Sequence, residues 1–151
     1  MTADDYFEDG NRLFRDDLYW AALLRYRQAS ESGMDTPLLH YNKGVAHYRA
    51  NQNIRAREEL LKALESPTLR IGAQYSLGLN AFALGETLEA LDWFRQARDQ
   101  NRNEAIANYA RIAISRIHAG LIKDDPLVEQ VKLEQREREF ARLDFRARVG
   151  F

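Results

Sequence analysis

Three glycines, Gly10, Gly44 and Gly78, stand 34 residues apart, and two alanine rows, Ala22, Ala56, Ala90 and Ala29, Ala63, Ala97, repeat the same interval. Small residues at fixed offsets in a period of this length predict stacked helical hairpins, because a close crossing of two helices tolerates no bulky side chain on both sides of the contact. Such arrays bury a continuous core by stacking and present a surface, so the interval directs the search for function toward a partner. Each unit reads as two helices: Ala3 to Arg15 and Tyr19 to Glu31, Pro37 to Ala50 and Ile54 to Glu65, Leu69 to Leu84 and Leu88 to Asp99, with Gly85 at the last turn. The glycine of each first helix is expected to face the first alanine of its partner, and Ala29, Ala63 and Ala97 to admit the next hairpin. Leu13, Leu23, Tyr26, Leu60, Leu61, Leu77, Leu91 and Phe94 fill around them at the i, i+3, i+4 spacing of an amphipathic helix. Each proline follows a capping residue, in Thr36-Pro37, Ser66-Pro67 and Asp125-Pro126, the signature of a helix start.

Composition narrows the function classes. At 151 residues and 45% hydrophobic the chain has enough apolar surface for one ordinary core, and 30% charged residues suit helices with a solvated face. A formal charge of -1 argues against a general nucleic-acid or acidic-membrane binder, which needs a basic excess to neutralise phosphate. The first unit is acidic, with Asp4, Asp5, Glu8, Asp9, Asp16, Asp17, Glu31 and Asp35 against Arg12, Arg15, Arg25 and Arg27. Zero cysteine excludes disulfides and thiolate metal sites and fits a reducing cytosol or a periplasm equally. No apolar run approaches the roughly 20 residues of a membrane span, and the first residues lack the basic and apolar blocks of a signal peptide. The compartment stays open: cytoplasmic as the chain is written, periplasmic if it is a fragment of an exported protein.

The Gly and Ala rows, with Tyr26 and Phe94 four residues after the first alanine, resemble the tetratricopeptide repeat (TPR) family, whose pattern runs Trp-x2-Leu-Gly-x2-Tyr, Ala-x3-Phe, Ala and Pro. Leu60 takes the aromatic place in the second unit. The Leu before Gly matches at Leu77 only, the leading Trp is Tyr6, His40 and Gln74, and the closing Pro is Met34, Thr68 and Arg102. The resemblance covers residues 3 to 104, in repeats of about 3–36, 37–70 and 71–104, and implies an all-α, right-handed α-solenoid that binds proteins or peptides.

A degenerate fourth first-helix is expected over Ala105 to Ala119, with Ile112 at the glycine offset and Gly120 ending it, as a cap to an array spanning 1–125. Residues 126–151 read as an amphipathic helix with Leu127, Val128, Val131 and Phe140 on its apolar stripe. Leu143, Phe145, Ala147, Val149 and Phe151 then alternate with polar residues or Gly150, at the two-residue period of a strand. That tail is either a frayed helix end or the first strand of a following β domain. The second reading resembles bacterial outer-membrane proteins in which a TPR module precedes a β-barrel.

First helices line the inner side of such a stack, so an offset they share becomes a stripe. One stripe is Phe7, Tyr41, Tyr75 and Tyr109, and a second, seven residues on, is Phe14, Tyr48 and Phe82. Together they predict an aromatic groove for an extended or helical peptide, or else rings that support the inter-repeat core. Asn11, Arg15, Asn42, Arg49 and Arg116 fall on or beside that face as polar contacts. The carboxylate-clamp branch of the family is matched at Asn11 and Asn42, but Phe7, Gly72 and Ser76 stand where its basic residues belong, so capture of a C-terminal carboxylate is not expected. His40 and His47 lie two turns apart, about 10 Å, too far to share a metal, and read as packing residues. No phosphate loop, nucleophile elbow or acid/base constellation occurs. The sequence therefore predicts a non-catalytic protein- or peptide-binding scaffold with no cofactor or metal, no nucleic-acid partner and no membrane insertion. The alternatives are an assembly module of a bacterial envelope or export complex, or a homo-oligomer formed through the C-terminal helix.

Overall fold

The computed structural model describes residues 1–100 and 104–122, and every regular element among them is a helix. The order is α1 (Ala3–Arg15), α2 (Tyr19–Glu31), α3 (Pro37–Arg49), α4 (Asn53–Ala63), α5 (Arg70–Ala83), α6 (Thr87–Asp99) and α7 (Glu104–Ile122). Helices pair as α1 with α2, α3 with α4 and α5 with α6, each pair stacks on the next, and α7 packs on α6 and α5. Successive first helices also touch, α1 with α3, α3 with α5 and α5 with α7, while successive second helices approach one another less. First helices therefore form the inner side of the stack and second helices the outer side.

Two local devices recur in register. The first is the glycine crossing. A Cβ built on Gly10 would lie 2.6 Å from the Tyr26 ring, one on Gly44 2.7 Å from Leu60, and one on Gly78 2.5 Å from Phe94. Each distance is shorter than real side chains show, so only glycine lets the large residue of the second helix lie flat on the first. The contact partner differs from the sequence expectation: Tyr26, Leu60 and Phe94 face the glycines, and the first alanine adds only a backbone carbonyl, from Ala22 to Gly10. The alanines of both rows, at 0% exposure, instead fill space that a larger residue could not share.

The second device is the turn between paired helices. Asp17 (φ 60°), Asn51 (φ 61°) and Gly85 (φ 80°) all adopt the left-handed conformation, and all three stand 34 residues apart. Asp, Asn and Gly are the residue types that enter this region at least cost, which lets the chain reverse within a few residues. Capping completes the starts. Thr2 accepts a hydrogen bond from the Asp5 amide (3.2 Å) while the Asp5 carboxylate accepts from the Thr2 amide (2.7 Å). Those bonds from Thr2 hold the Asp5 carboxyl below its ordinary range. Thr36 caps α3 through the Leu39 amide (3.2 Å), with Pro37 in the first turn.

From α3 onward most expected helix ends shift by one or two residues, and two expected start and stop signals fail. Ser66-Pro67 does not open a helix; it forms a hydrogen-bonded turn, with the Ser66 carbonyl accepting from the Arg70 amide at 2.9 Å, and α5 starts at Arg70. Gly120 does not end α7, which continues to Ile122. The turn offset in the fourth unit is Ala119, a strong helix former, and Gly120 lies one position late to act as a left-handed stop. Asp125-Pro126, the amphipathic helix and the alternating tail lie outside the described residues.

The core runs through all the pairs. Tyr26, Leu39, Leu60, Tyr75, Leu77 and Phe94 are almost wholly buried, and α5 is buried on every side from Ile71 to Ala81. That helix is apolar or small around most of its circumference and takes neighbours from α3, α4, α6 and α7, as an all-round hydrophobic helix requires.

Candidate functional site

The inner face is where the sequence placed a ligand, and burial divides its residues into two groups. Phe14, Tyr41, Tyr48 and Tyr75 are no more than 2% exposed, so these rings are core. Phe7, Phe82 and Tyr109 are half-buried and keep accessible surface. Ring contacts show how the rows are used. Tyr75 lies 5.5 Å from Phe94 and 6.5 Å from Tyr109, the next member of its own row, while Phe7 lies 5.9 Å from Tyr26 and Phe14 meets Tyr19 edge-on at 5.1 Å. The Tyr41 hydroxyl lies against Gly72 of the following repeat, where a Cβ would come within 3.1 Å of it. Tyr41 and Tyr75 of the first row thus splice one repeat to the next, and Phe14 and Tyr48 of the second row lie in the core.

The asparagines are likewise committed. Asn11 Oδ1 accepts from the Tyr26 hydroxyl (2.7 Å) and from Asn42 Nδ2 (3.0 Å), and both asparagines are under 5% exposed. One oxygen thus joins α1, α2 and α3, and a buried network of this kind fixes geometry because each member left unpaired carries a desolvation cost. Neither side chain is presented to a peptide, which deepens the departure from the carboxylate clamp.

The arginines differ in burial. Arg15 is exposed at the end of α1, Arg116 is exposed on α7, and Arg49 is partly buried at the end of α3. Arg49 donates to the Tyr19 hydroxyl at 3.2 Å, and its guanidinium lies 5.6 Å from the centroid of that ring, a cation–π contact that orients it. On this face Phe7, Phe82 and Tyr109 pack against the core and Arg49 is partly buried, while Arg15 and Arg116 are exposed.

The histidines serve packing and pairing. His47 Nδ1 is held by Gln52 at 2.7 Å, and burial pushes the imidazole below its ordinary value of 6.5. His40 bridges two carboxylates, Glu59 at 2.6 Å and Asp35 at 2.5 Å. Burial pushes the Glu59 carboxyl up, but the hydrogen bond from His40 and the charges of Lys43 and Lys62 outweigh it and leave the group below its ordinary 4.5. Among the described residues no three His, Asp or Glu side chains are placed to share a metal ion, and no helix is long and apolar enough to cross a membrane.

One surface escaped the sequence reading. Trp20, Ile54 and Leu88 are 66%, 63% and 75% exposed, and they too stand 34 residues apart, each the second residue of its second helix. The signal was the interval already in use, applied to the outer side of the stack.

No family model matches the chain. Among curated proteins, it is 33% identical over 81 residues to a protein named tetratricopeptide repeat protein 30 homolog of Drosophila melanogaster, covering 50% of this chain and 12% of that protein. The protein of the same name in Drosophila pseudoobscura pseudoobscura is 29% identical over 92 residues, covering 58% of this chain and 14% of its own length. The chain therefore spans about an eighth of the length of the curated relatives it matches. Neither relative bears on the outer-membrane resemblance.

Proposed function

We propose that this chain, whose repeats belong to the tetratricopeptide family, is a non-catalytic docking scaffold that takes a protein or peptide segment on its first-helix face. The observation that carries the reading is the register. Part-buried Phe7, Phe82 and Tyr109 and the arginines Arg15, Arg49 and Arg116 come from α1, α3, α5 and α7 at offsets the repeat keeps constant. Rigid rings give contact area at low entropic cost, and guanidinium groups pair with carboxylates bidentately, so the fitting partner is a segment with apolar and acidic side chains. The buried rings and asparagines serve this face by holding its helices in fixed spacing.

The test replaces Arg15 and Arg116 with Glu and Phe82 with Ser. Arg15 and Arg116 are exposed, whereas Phe82 packs partly on the core, so Arg15→Glu/Arg116→Glu is also measured without the Phe82 change; in variants with unchanged circular dichroism, recovery of native partners from a lysate should fall at least tenfold. Unchanged recovery would remove the first-helix face as the docking site.

A further inference from the structure

The outer side carries a feature that the first-helix reading does not use. Apart from the terminal Met1, the three most exposed large apolar side chains among the described residues are Leu88, Trp20 and Ile54, one per repeat at a single offset. Scattered exposed apolar residues need no explanation, but a row locked to the repeat does. Leu18 and Leu24, each 52% exposed, widen it at the Trp20 end. There an open cleft of about 330 Å³ separates α2 from α4, lined by Trp20, Leu23, Leu24, Arg27, Arg55 and Glu58 among others.

Charge around the cleft is uneven. Lys43 lies 3.4 Å from Glu59, and His47 is held by Gln52, so these wall residues are satisfied internally. Arg27 and Arg55 make no ion pair with a described residue, and Glu58 alone opposes them, which leaves a positive rim in a chain of formal charge -1. One such side chain per second helix makes a linear row that suits an extended segment, and the positive rim of the cleft suits carboxylates on that segment.

We infer that the row Trp20, Ile54, Leu88 and its cleft form a second docking surface, on the outer side, for a short partner peptide that carries apolar side chains next to carboxylates. Apolar side chains of the peptide seat on the row, and a carboxylate reaches Arg27 and Arg55. The surface is independent of the first-helix face, so the two can engage different segments of one partner and gain from their linkage.

Trp20 and Trp93 are the two tryptophans, and the part of the emission change that W20S/I54S/L88S lacks belongs to Trp20. The full chain is titrated with an acetylated twelve-residue peptide of alternating Leu and Asp, and with versions carrying Lys for Asp or Ser for Leu, and read by tryptophan emission and by polarisation of labelled peptide. The expected result is a blue shift with the Leu/Asp peptide and at least tenfold weaker binding of both altered peptides. Variants W20S/I54S/L88S and R27E/R55E should each lose the blue shift and at least tenfold in affinity by polarisation, with unchanged circular dichroism, whereas R12E, at an exposed arginine that neither surface uses, should bind as the parent does. Loss of binding only in R15E/R116E would assign the peptide to the first-helix face and overturn this inference without touching the first reading. Equal binding by all variants, or no binding of the Leu/Asp peptide, also overturns it. So does a parent that sediments as a dimer while W20S/I54S/L88S sediments as a monomer, since the occupant would then be a second copy.

Discussion

The third hairpin and the helix that follows it share most of their offsets and yet behave differently. In the third unit Gly78 lies under the Phe94 ring, and Gly85, seven residues on, turns the chain with φ 80°. In the fourth, Ile112 stands at the crossing offset with 44% of its surface exposed and Ala119 stands at the turn offset, and α7 runs unbroken for 19 residues where α5 runs for 14. A hairpin of this array therefore rests on two local permissions, a close crossing and a left-handed residue, and a sequence lacking both continues as a helix.

The largest expected effect comes from closing the crossing. Gly78→Ala puts a methyl 2.5 Å from an immobile aromatic ring, an overpacking worth about 1–3 kcal/mol. Gly44→Ala meets the more adaptable Leu60 and should cost less, and Ile112→Ala, on an exposed site, should cost least; thermal unfolding of the three variants checks the order. The buried network comes next. Asn11→Ala removes the shared acceptor of the Tyr26 hydroxyl and the Asn42 amide, for a loss of about 1–3 kcal/mol, whereas Tyr26→Phe removes one donor and should cost about 1 kcal/mol. The turn follows. Gly85→Ala forces a Cβ into the left-handed region at about 1–2 kcal/mol, while Asn51→Gly relieves strain and should be neutral or slightly stabilising. Equal losses at Gly85 and Ala119 on substitution by Val would break the distinction between turn and helix.

The smallest effect is on pH. Both His47 and Glu59 have folded pKa values below their ordinary ones, so the unfolded chain binds more protons than the folded chain over the intervals between. Stability is fully present above 6.5, weakens as pH falls below it through His47, and weakens again below 4.5 through Glu59. His47→Gln should remove the first step and leave the second in urea titrations between neutral and mildly acidic pH.

The sequence made the stacking legible because a crossing leaves a positional mark: glycine or alanine at 34-residue spacing, whatever fills the rest. The extents of α1 and α2, Ala3–Arg15 and Tyr19–Glu31, followed from the same pattern. The site was legible in register and obscure in exposure. Tyr41 and Tyr48 share one side of α3, but a single helix does not reveal how much of that side its neighbours cover, so rings assigned to a groove stand in the core. Changing those tyrosines to alanine would consequently report on folding before it reported on binding. The glycines' contacts were assigned to alanine because both are small, whereas packing sets a small residue against a large one. The turn row needed Asp17 and Asn51 to be read as equivalents of Gly85, and the outer row Trp20, Ile54, Leu88 needed the interval carried past the face of interest.

The account depends on the glycine crossing acting through the ring above it. A double-mutant cycle of Gly78→Ala and Phe94→Leu, measured by denaturant unfolding, tests this most directly. The account predicts that Gly78→Ala costs at least about 1 kcal/mol less once Phe94 is Leu, the coupling expected of residues in contact. Additive losses within error would contradict it.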